Sequence, residues 1–247
     1  MRLKHITFTG IDSKTDIEAL QEIQRQYPIA EFGVLTSYHW YENGNRYLDP
    51  QIINTLRGAG LNLALHVCGR AAHDAAIGRW DLIDKLTWMN LDLFNRVQLN
   101  IANRSDNPET LSKLAKIAGQ EIIIQQLDCN SLDFFEATFK KFLYKKDRYN
   151  RPLSVLLDSS GGRGINKPIE VAPPFTAPKV GYAGGLNSSN VADNLTYLLE
   201  HVATGDFWID MESGVRTDDW FDLDKVRRVL AICDEVIRDL HMETEGV

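Results

Sequence analysis

The chain has 247 residues, of which 44% are hydrophobic and 25% charged, a composition typical of a globular protein with one large core. Its net charge of −7 argues against a nucleic-acid-binding protein, because phosphate-backbone contacts need clustered Lys and Arg. No apolar run approaches the roughly 20 residues of a membrane helix, and no signal-peptide pattern is present. Three cysteines without metal-ligand spacing indicate reduced thiols in a cytoplasmic protein. We further expect a monomer or homodimer that contains no metal or cofactor.

Short apolar segments alternate with amphipathic ones along the chain. Residues 5–11 (HITFTGI) predict a first strand, and the spacing of Ile17, Leu20 and Ile23 predicts a helix after it. Asp49-Pro50 provides an N-cap and a proline for the first turn of a second helix. Further strands are predicted at residues 30–37, 61–67, 94–101, 121–127 and 153–157, and at the apolar starts of residues 179–191 and 207–216. Further helices are predicted after residue 68 and within residues 105–119, 132–146, 188–201 and 222–240.

Residues 158–178 break this alternation. The segment DSSGGRGINKPIEVAPPFTAP contains four prolines and three glycines, which leave little room for a sixth helix, so we expect a long loop there. Eight strands alternating with helices, at this length, favour a closed barrel over an open sheet. The predicted fold is therefore a single (β/α)8 barrel domain over residues 1–247, with a long loop in place of most of the sixth helix.

The predicted barrel has its chemistry where the strands end, because the carboxyl ends of all eight strands meet at one mouth. Asp158 stands out, since it ends an apolar strand and precedes a glycine-rich loop. A partly desolvated carboxylate there suits a general acid, although it could also simply cap a turn. Other candidates follow strands 1, 3, 4, 5 and 8: Thr9, Asp12, His66, Cys68, Gln98, Asn100, Asp128, Asp210 and Glu212.

Two late segments end in small residues that allow a ligand to approach the backbone. Gly184-Gly185 follows the seventh predicted strand, and Ser213-Gly214 follows the eighth. Exposed amides there, with the N-terminus of the helix expected near Ser188, would attract an anion. A phosphate site after strands 7 and 8 is the usual arrangement in this barrel.

The segments LLDSSGGRG, YAGGLNSSNV and IDMESGVR together resemble the last three strand-and-loop units of phosphoribosylanthranilate isomerase, and VQLN at residues 97–100 is similar to its fourth strand. This resemblance implies an Amadori rearrangement of a phosphorylated ribosylamine from aldose to ketose, within tryptophan biosynthesis. It implies that Asp158 is the general acid and that Gln98 contacts the substrate. Arg46 would hold the anthranilate carboxylate, and the phosphate would be bound by Gly184, Gly185, Ser213 and Gly214.

The resemblance does not extend to the family's general base. That base is a cysteine at the end of strand 1, where this chain has Thr9. A threonine hydroxyl is too weakly acidic to act as a base near neutral pH, whereas a thiol can be tuned into range. Asp12, Cys68 or His66 could take its place. Two hypotheses follow: an isomerase of a phosphorylated sugar with a relocated base, and a barrel that binds a phosphorylated ligand without this activity.

Overall fold

Eight parallel strands close into one barrel in sequence order, as predicted. The computed structural model describes residues 2–38, 44–48, 53, 55–56, 58–76, 79, 91–100, 121–126, 153–160, 164–165, 167–171, 179–202 and 205–245. The first strand pairs with both the second and the eighth, so the sheet has no edge. The strands are β1 (Arg2–Thr9), β2 (Ala30–Thr36), β3 (Leu63–Cys68), β4 (Arg96–Asn100), β5 (Glu121–Gln126), β6 (Leu153–Asp158), β7 (Lys179–Ala183) and β8 (Asp206–Met211).

Four described helices lie after β1, β3, β7 and β8. Helix α1 (Ile17–Gln26) contains the residues whose spacing predicted it, and its N-cap is Asp16, whose side chain accepts hydrogen bonds from the amides of Glu18 and Ala19. The others are α2 (Gly69–Ala76), α3 (Val191–His201) and α4 (Leu223–Glu245). The helices predicted within residues 105–119 and 132–146, and most of the one predicted from Asp49, lie outside the described residues.

Two local features differ from the predictions. The first strand runs from residue 2 to residue 9 rather than from 5 to 11, because its pairing with β8 begins at Arg2↔Asp206. A short antiparallel hairpin, β9 (Arg216–Thr217) with β10 (Trp220–Phe221), follows β8 and was not predicted. Among residues 159–171, those that the structure describes form no helix, in agreement with the predicted loop.

Both faces of the barrel strands are buried, and the outward and inward faces contribute to different clusters of apolar side chains. Outward residues such as Ile6, Phe8 and Leu65 pack in the main apolar core. Inside the barrel, Ile123, Leu156 and Trp208 form a separate apolar cluster. That cluster closes the barrel interior to water, so the barrel is a packed core and not a channel.

The interior also contains a buried ion pair near the N-terminal ends of the strands. Arg96 Nε donates to Glu31 Oε2 at 2.9 Å, and Arg96 Nη2 donates to Thr7 Oγ1 at 3.1 Å. The guanidinium carbon lies 4.5 Å from the centroid of the Trp208 ring. Since the two charges neutralise each other, this part of the interior tolerates ionised groups.

Candidate active site

The C-terminal ends of the strands surround an open pocket, which we call the mouth. Its position matches the place where barrel enzymes carry their active sites. Its walls are strongly polar, although its floor includes the apolar Leu156. The described residues that line it are Thr9, Arg46, His66, Gln98, Asn100, Gln125, Leu156, Asp158, Ser160, Gly164, Ala183, Gly184, Gly185, Leu186, Asp210, Met211, Glu212 and Ser213.

Asp158, the last residue of β6, accepts hydrogen bonds from Gln125 and Ser160 among the residues that the structure describes. Its Oδ2 accepts from Gln125 Nε2 at 2.7 Å, and its Oδ1 accepts from the amide of Ser160 at 3.0 Å and from its hydroxyl at 2.7 Å. The residue is 5% exposed and lines the mouth. These hydrogen bonds orient the carboxyl group of Asp158 toward the mouth's interior surface.

Asp210, in β8, has a different environment in the same mouth. Its Oδ1 accepts one hydrogen bond, from Thr9 Oγ1 at 2.8 Å, and its Oδ2 lies 4.0 Å from His66 Nδ1. The pKa of Asp210 is raised to about 7, mainly by burial. The nearby charge of Asp158 contributes to this rise, while the hydrogen bond from Thr9 and the charge of Arg96 oppose it. A carboxyl with this pKa exchanges its proton near neutral pH.

His66 is buried beside Asp210 but is held neutral. Burial lowers the pKa of His66 to about 3. Gln98 Nε2 lies 3.1 Å from His66 Nδ1 and also donates to Asn100 Oδ1 at 3.0 Å. Because Nδ1 can then only accept, the ring proton is placed on Nε2. His66 is therefore a neutral hydrogen-bonding group in the mouth and is not suited to be a base near pH 7.

Cys68 is half-buried and is not among the described residues that line the mouth. Its Sγ accepts a hydrogen bond from Asn100 Nδ2 at 3.4 Å. Burial raises the pKa of the Cys68 thiol to about 12, with a further contribution from Glu212. At neutral pH the group is a thiol, not the thiolate that proton abstraction requires.

Asp12 is placed away from the mouth and is fully hydrogen bonded. Its Oδ2 accepts from Arg216 Nη2 at 3.3 Å and from the amide of Phe221 at 2.6 Å. Its Oδ1 accepts from the amide of Lys14 and from Thr15 Oγ1, both at 3.1 Å. The structure therefore gives Asp12 a position that fastens the β9–β10 hairpin to the loop after β1.

The loops after β7 and β8 are in direct contact. A Cβ on Gly214 would lie 1.9 Å from the carbonyl oxygen of Leu186, so only glycine allows this approach. Gly184 and Gly185 have φ values of 144° and 71°, which favour glycine. Gly184, Gly185 and Ser213 line the mouth, whereas Gly214 lies behind them as the contact point of the two loops.

The amides of these two loops are available to a ligand. Within the described part of the chain, the backbone N–H groups of Gly184, Gly185, Ser213 and Gly214 donate to no protein acceptor. The carbonyl of Gly185 accepts from the side chains of Asn187 and Asn190, which fixes the loop ahead of α3. A cluster of fixed, unused amides is the arrangement that binds anions.

Arg46 lines the mouth, but its charge is shared with two carboxylates. Its Nη1 donates to Glu212 Oε1 at 2.9 Å, and its Nε donates to Asp219 Oδ1 at 2.8 Å. Burial raises the pKa of Glu212, an effect that Arg46 partly opposes. A substrate carboxylate, which Arg46 is predicted to hold, would therefore have to share the guanidinium with these two protein carboxylates.

Two residues that orient Asp158 were not singled out in the sequence. Gln125 is the first polar residue after the apolar run at residues 122–124 of β5, and that position is the signal that could have revealed it. Ser160 gave no such signal, because it lies in a run of serines and glycines. Asp128 lies outside the described residues. Among the described residues, no three His, Cys, Asp or Glu side chains are grouped closely enough to hold a metal ion.

None of the described helices is both long enough and apolar enough to cross a membrane.

Comparison with known proteins supports the fold. No family model matches the chain, and no curated protein matches it. The chain is similar to the structure of N-(5'-phosphoribosyl)anthranilate isomerase from Pyrococcus furiosus, with 19% identity, a TM-score of 0.53 and coverage of 94% of this chain and 98% of that one. D-psicose 3-epimerase with D-tagatose from Clostridium cellulolyticum H10 aligns at 12% identity and a TM-score of 0.44, over 96% and 97% of the two chains. The likeness to the first of these structures is one of fold and extends over nearly the whole barrel.

Proposed function

We propose that this protein is an isomerase that converts a phosphorylated aldose, or its C1 amine derivative, into the corresponding ketose. One observation carries the proposal: two buried carboxyls, Asp158 and Asp210, line the same mouth as loops with unused backbone amides. An aldose-to-ketose conversion needs an acid and a base at neighbouring atoms and an anchor for the sugar. The mouth offers groups for all three tasks.

The phosphate would be bound by the loops after β7 and β8. The amides of Gly184, Gly185 and Ser213 have no protein acceptor among the described residues and lie at the rim of the mouth. Fixed backbone dipoles stabilise a dianion without introducing a titratable cation. The sugar would then extend from this anchor toward Asp158 and Asp210.

The different environments of the two carboxyls favour a division of labour. The pKa of Asp210, about 7, keeps a proton available for donation, and the charge of Asp158 is one of its causes. Asp158 accepts hydrogen bonds from Gln125 and Ser160 on both of its oxygens, the arrangement that suits a proton acceptor. Environments that separate two carboxyls in this way assign the acid and the base. We therefore assign the acid to Asp210 and the base to Asp158, which reverses the role of Asp158 that the resemblance implies.

The proton transfers balance over one turnover. Asp210 gives its proton to the ring oxygen, the ring opens, and C1 becomes an iminium carbon or, for an aldose, a protonated carbonyl that keeps the proton on O1. Asp158 then removes the proton from C2, which gives an enaminol or enediol. Asp158 returns that proton to C1, and the hydroxyl at C2 gives its proton to Asp210 as the ketone forms. Both carboxyls end in the state in which they began.

The assignment also accounts for Thr9. Its hydroxyl donates to Asp210 Oδ1, so this side chain, at the place of the family's cysteine, positions the acid. Cys68 and His66 are less suited as the base, because burial holds one as a thiol and the other as a neutral ring with an occupied Nδ1. Asp12 does not line the mouth.

The alternative is a barrel that binds a phosphorylated ligand without converting it. The observation that favours it is the absence of the family's thiol, with Thr9 in its place. This alternative needs the phosphate loops but not a proton-exchanging carboxyl pair. The two proposals therefore differ in whether Asp158 and Asp210 affect turnover.

The experiment measures turnover and binding separately. Purified protein is supplied with phosphoribosylanthranilate, whose fluorescence is lost on conversion, and with ribose 5-phosphate, whose ketose product is measured directly. Asp158→Asn and Asp210→Asn should each lower kcat by about 10² to 10⁴, while affinity for inorganic phosphate stays within about threefold. Phosphate binding without conversion of either substrate would favour the alternative.

A further inference from the structure

The Arg46 side of the mouth, formed by Arg46, Gln98, Asn100 and Glu212, is not used by the proton transfers proposed above. Arg46 is the one Lys or Arg among the described lining residues, and the same lining contains the carboxyls of Asp158, Asp210 and Glu212. Its Nη1 and Nε are already bound to Glu212 and Asp219. A carboxylate on a ligand would therefore compete with two protein carboxylates for one cation and would meet the charge of Glu212 at close range.

The same side offers hydrogen-bond acceptors. Gln98 is 2% exposed and lines the mouth, yet its Oε1 has no hydrogen-bond partner in the part of the chain that the structure describes. Its Nε2 donates to Asn100 Oδ1 at 3.0 Å, a hydrogen bond that would be lost if the amide turned its oxygen toward Asn100. A buried acceptor without a partner is costly, and a ligand N–H or O–H would satisfy it.

We propose that this side of the mouth selects a sugar phosphate whose C1 group is an uncharged hydrogen-bond donor, such as a hydroxyl or a neutral amine, and that Glu212 excludes a C1 group that carries a carboxylate. The inference rests on the proposed function, since it takes the ligand to be a phosphorylated sugar. It differs from the resemblance, which implies that Arg46 binds the carboxylate of an anthranilate group.

The test compares two ligands that cannot react. Both are alditol phosphates without a carbonyl; one carries a phenylamino group on C1 and the other a 2-carboxyphenylamino group, so they differ by one carboxylate. Binding is measured by calorimetry. The wild-type protein should bind the phenylamino ligand about tenfold more tightly, the effect of one unfavourable close charge contact.

Two variants separate Glu212 from the second partner of Arg46. Glu212→Gln keeps the shape of the side chain but frees Arg46, so affinity for the carboxylate ligand should rise about tenfold while the phenylamino ligand changes little. Asp219→Asn is the matched control, because Asp219 also pairs with Arg46 but is 44% exposed and does not line the mouth. Its effect on the carboxylate ligand should stay below about threefold.

The affinity ratio of the two ligands decides the outcome. Tighter binding of the carboxylate ligand by the wild type, or an unchanged ratio in Glu212→Gln, would overturn the inference but leave the proposed function standing. Binding of neither ligand by the wild type would overturn the inference, whereas the proposed function is tested separately by the conversion of ribose 5-phosphate described above. The phenylamino ligand also reports whether each variant keeps a folded site.

Discussion

Asp210→Asn should make the folded protein more stable above neutral pH, even though it removes the proposed acid. The pKa of Asp210 is about 7 in the folded protein, whereas the ordinary pKa of an aspartate side chain is 3.8. A carboxyl whose pKa is raised on folding stabilises the fold fully below the unfolded value, and this contribution is lost as the pH rises through the folded value. The ionised carboxylate of Asp210 is thus a cost to folding that an amide avoids.

The magnitude follows from the shift in pKa. The difference between 3.8 and about 7, at about 1.4 kcal/mol per unit, sets an upper value of about 4 kcal/mol above pH 7. Relaxation around the charge reduces this value, so we expect a gain of about 2 to 4 kcal/mol at pH 8.5. The gain should decrease between pH 7 and pH 4 and vanish below pH 4. The amide oxygen of the new Asn can still accept from Thr9 Oγ1.

The assay is urea unfolding of wild type and variant at several values of pH from 4 to 8.5. Asp224→Asn is a suitable control, because the side chain of Asp224 is 93% exposed and its charge is not desolvated. Its stability difference from the wild type should stay within about 0.5 kcal/mol. A stability difference between Asp210→Asn and wild type that does not change with pH would refute the burial argument for Asp210.

Three further predictions test other parts of the mouth. Asp158→Asn should lower kcat by about 10² to 10⁴ with little change in phosphate affinity, because it removes the proposed base but not the phosphate loops; an unchanged kcat would contradict that role. Cys68→Ser should keep kcat within about twofold, since the thiol does not line the mouth and its pKa is raised to about 12; a large loss would restore it as a candidate base. Gly214→Ala should weaken inorganic phosphate binding by about tenfold or more, because its Cβ would lie 1.9 Å from the carbonyl oxygen of Leu186. Gly58→Ala is the control, because a Cβ there meets nothing within 4 Å. Equal phosphate affinity in the two variants would contradict the importance of the loop contact.

The strands and their order could be predicted from the sequence because each strand is a short apolar run bounded by polar or glycine-rich segments. The position of Asp158 followed in the same way, as the last residue of the strand LSVLLD. The spacing of Ile17, Leu20 and Ile23 likewise predicted the helix after β1, in which Leu20 and Ile23 are buried. That spacing did not identify the cap, which Asp16 provides.

The surroundings of the candidate residues could not be predicted, because they come from distant parts of the chain. Asp12 is paired with Arg216, 204 positions away, and Thr9 with Asp210, 201 positions away. In the sequence both carboxyls are simply acidic residues after a strand. Only the closed barrel shows that one fastens a hairpin while the other faces the mouth.

Two buried carboxyls inside this barrel have opposite environments, and the contrast is itself evidence of function. Glu31 is 0% exposed, and although burial raises its pKa, pairing with Arg96 reverses that effect and lowers it. Asp210 is 5% exposed, yet its only described hydrogen bond is from Thr9, and its pKa is raised to about 7. Selection for stability alone would pair Asp210 as it does Glu31, or replace it. A carboxyl left buried, without a cationic partner among the described residues and facing a pocket, is what proton transfer requires.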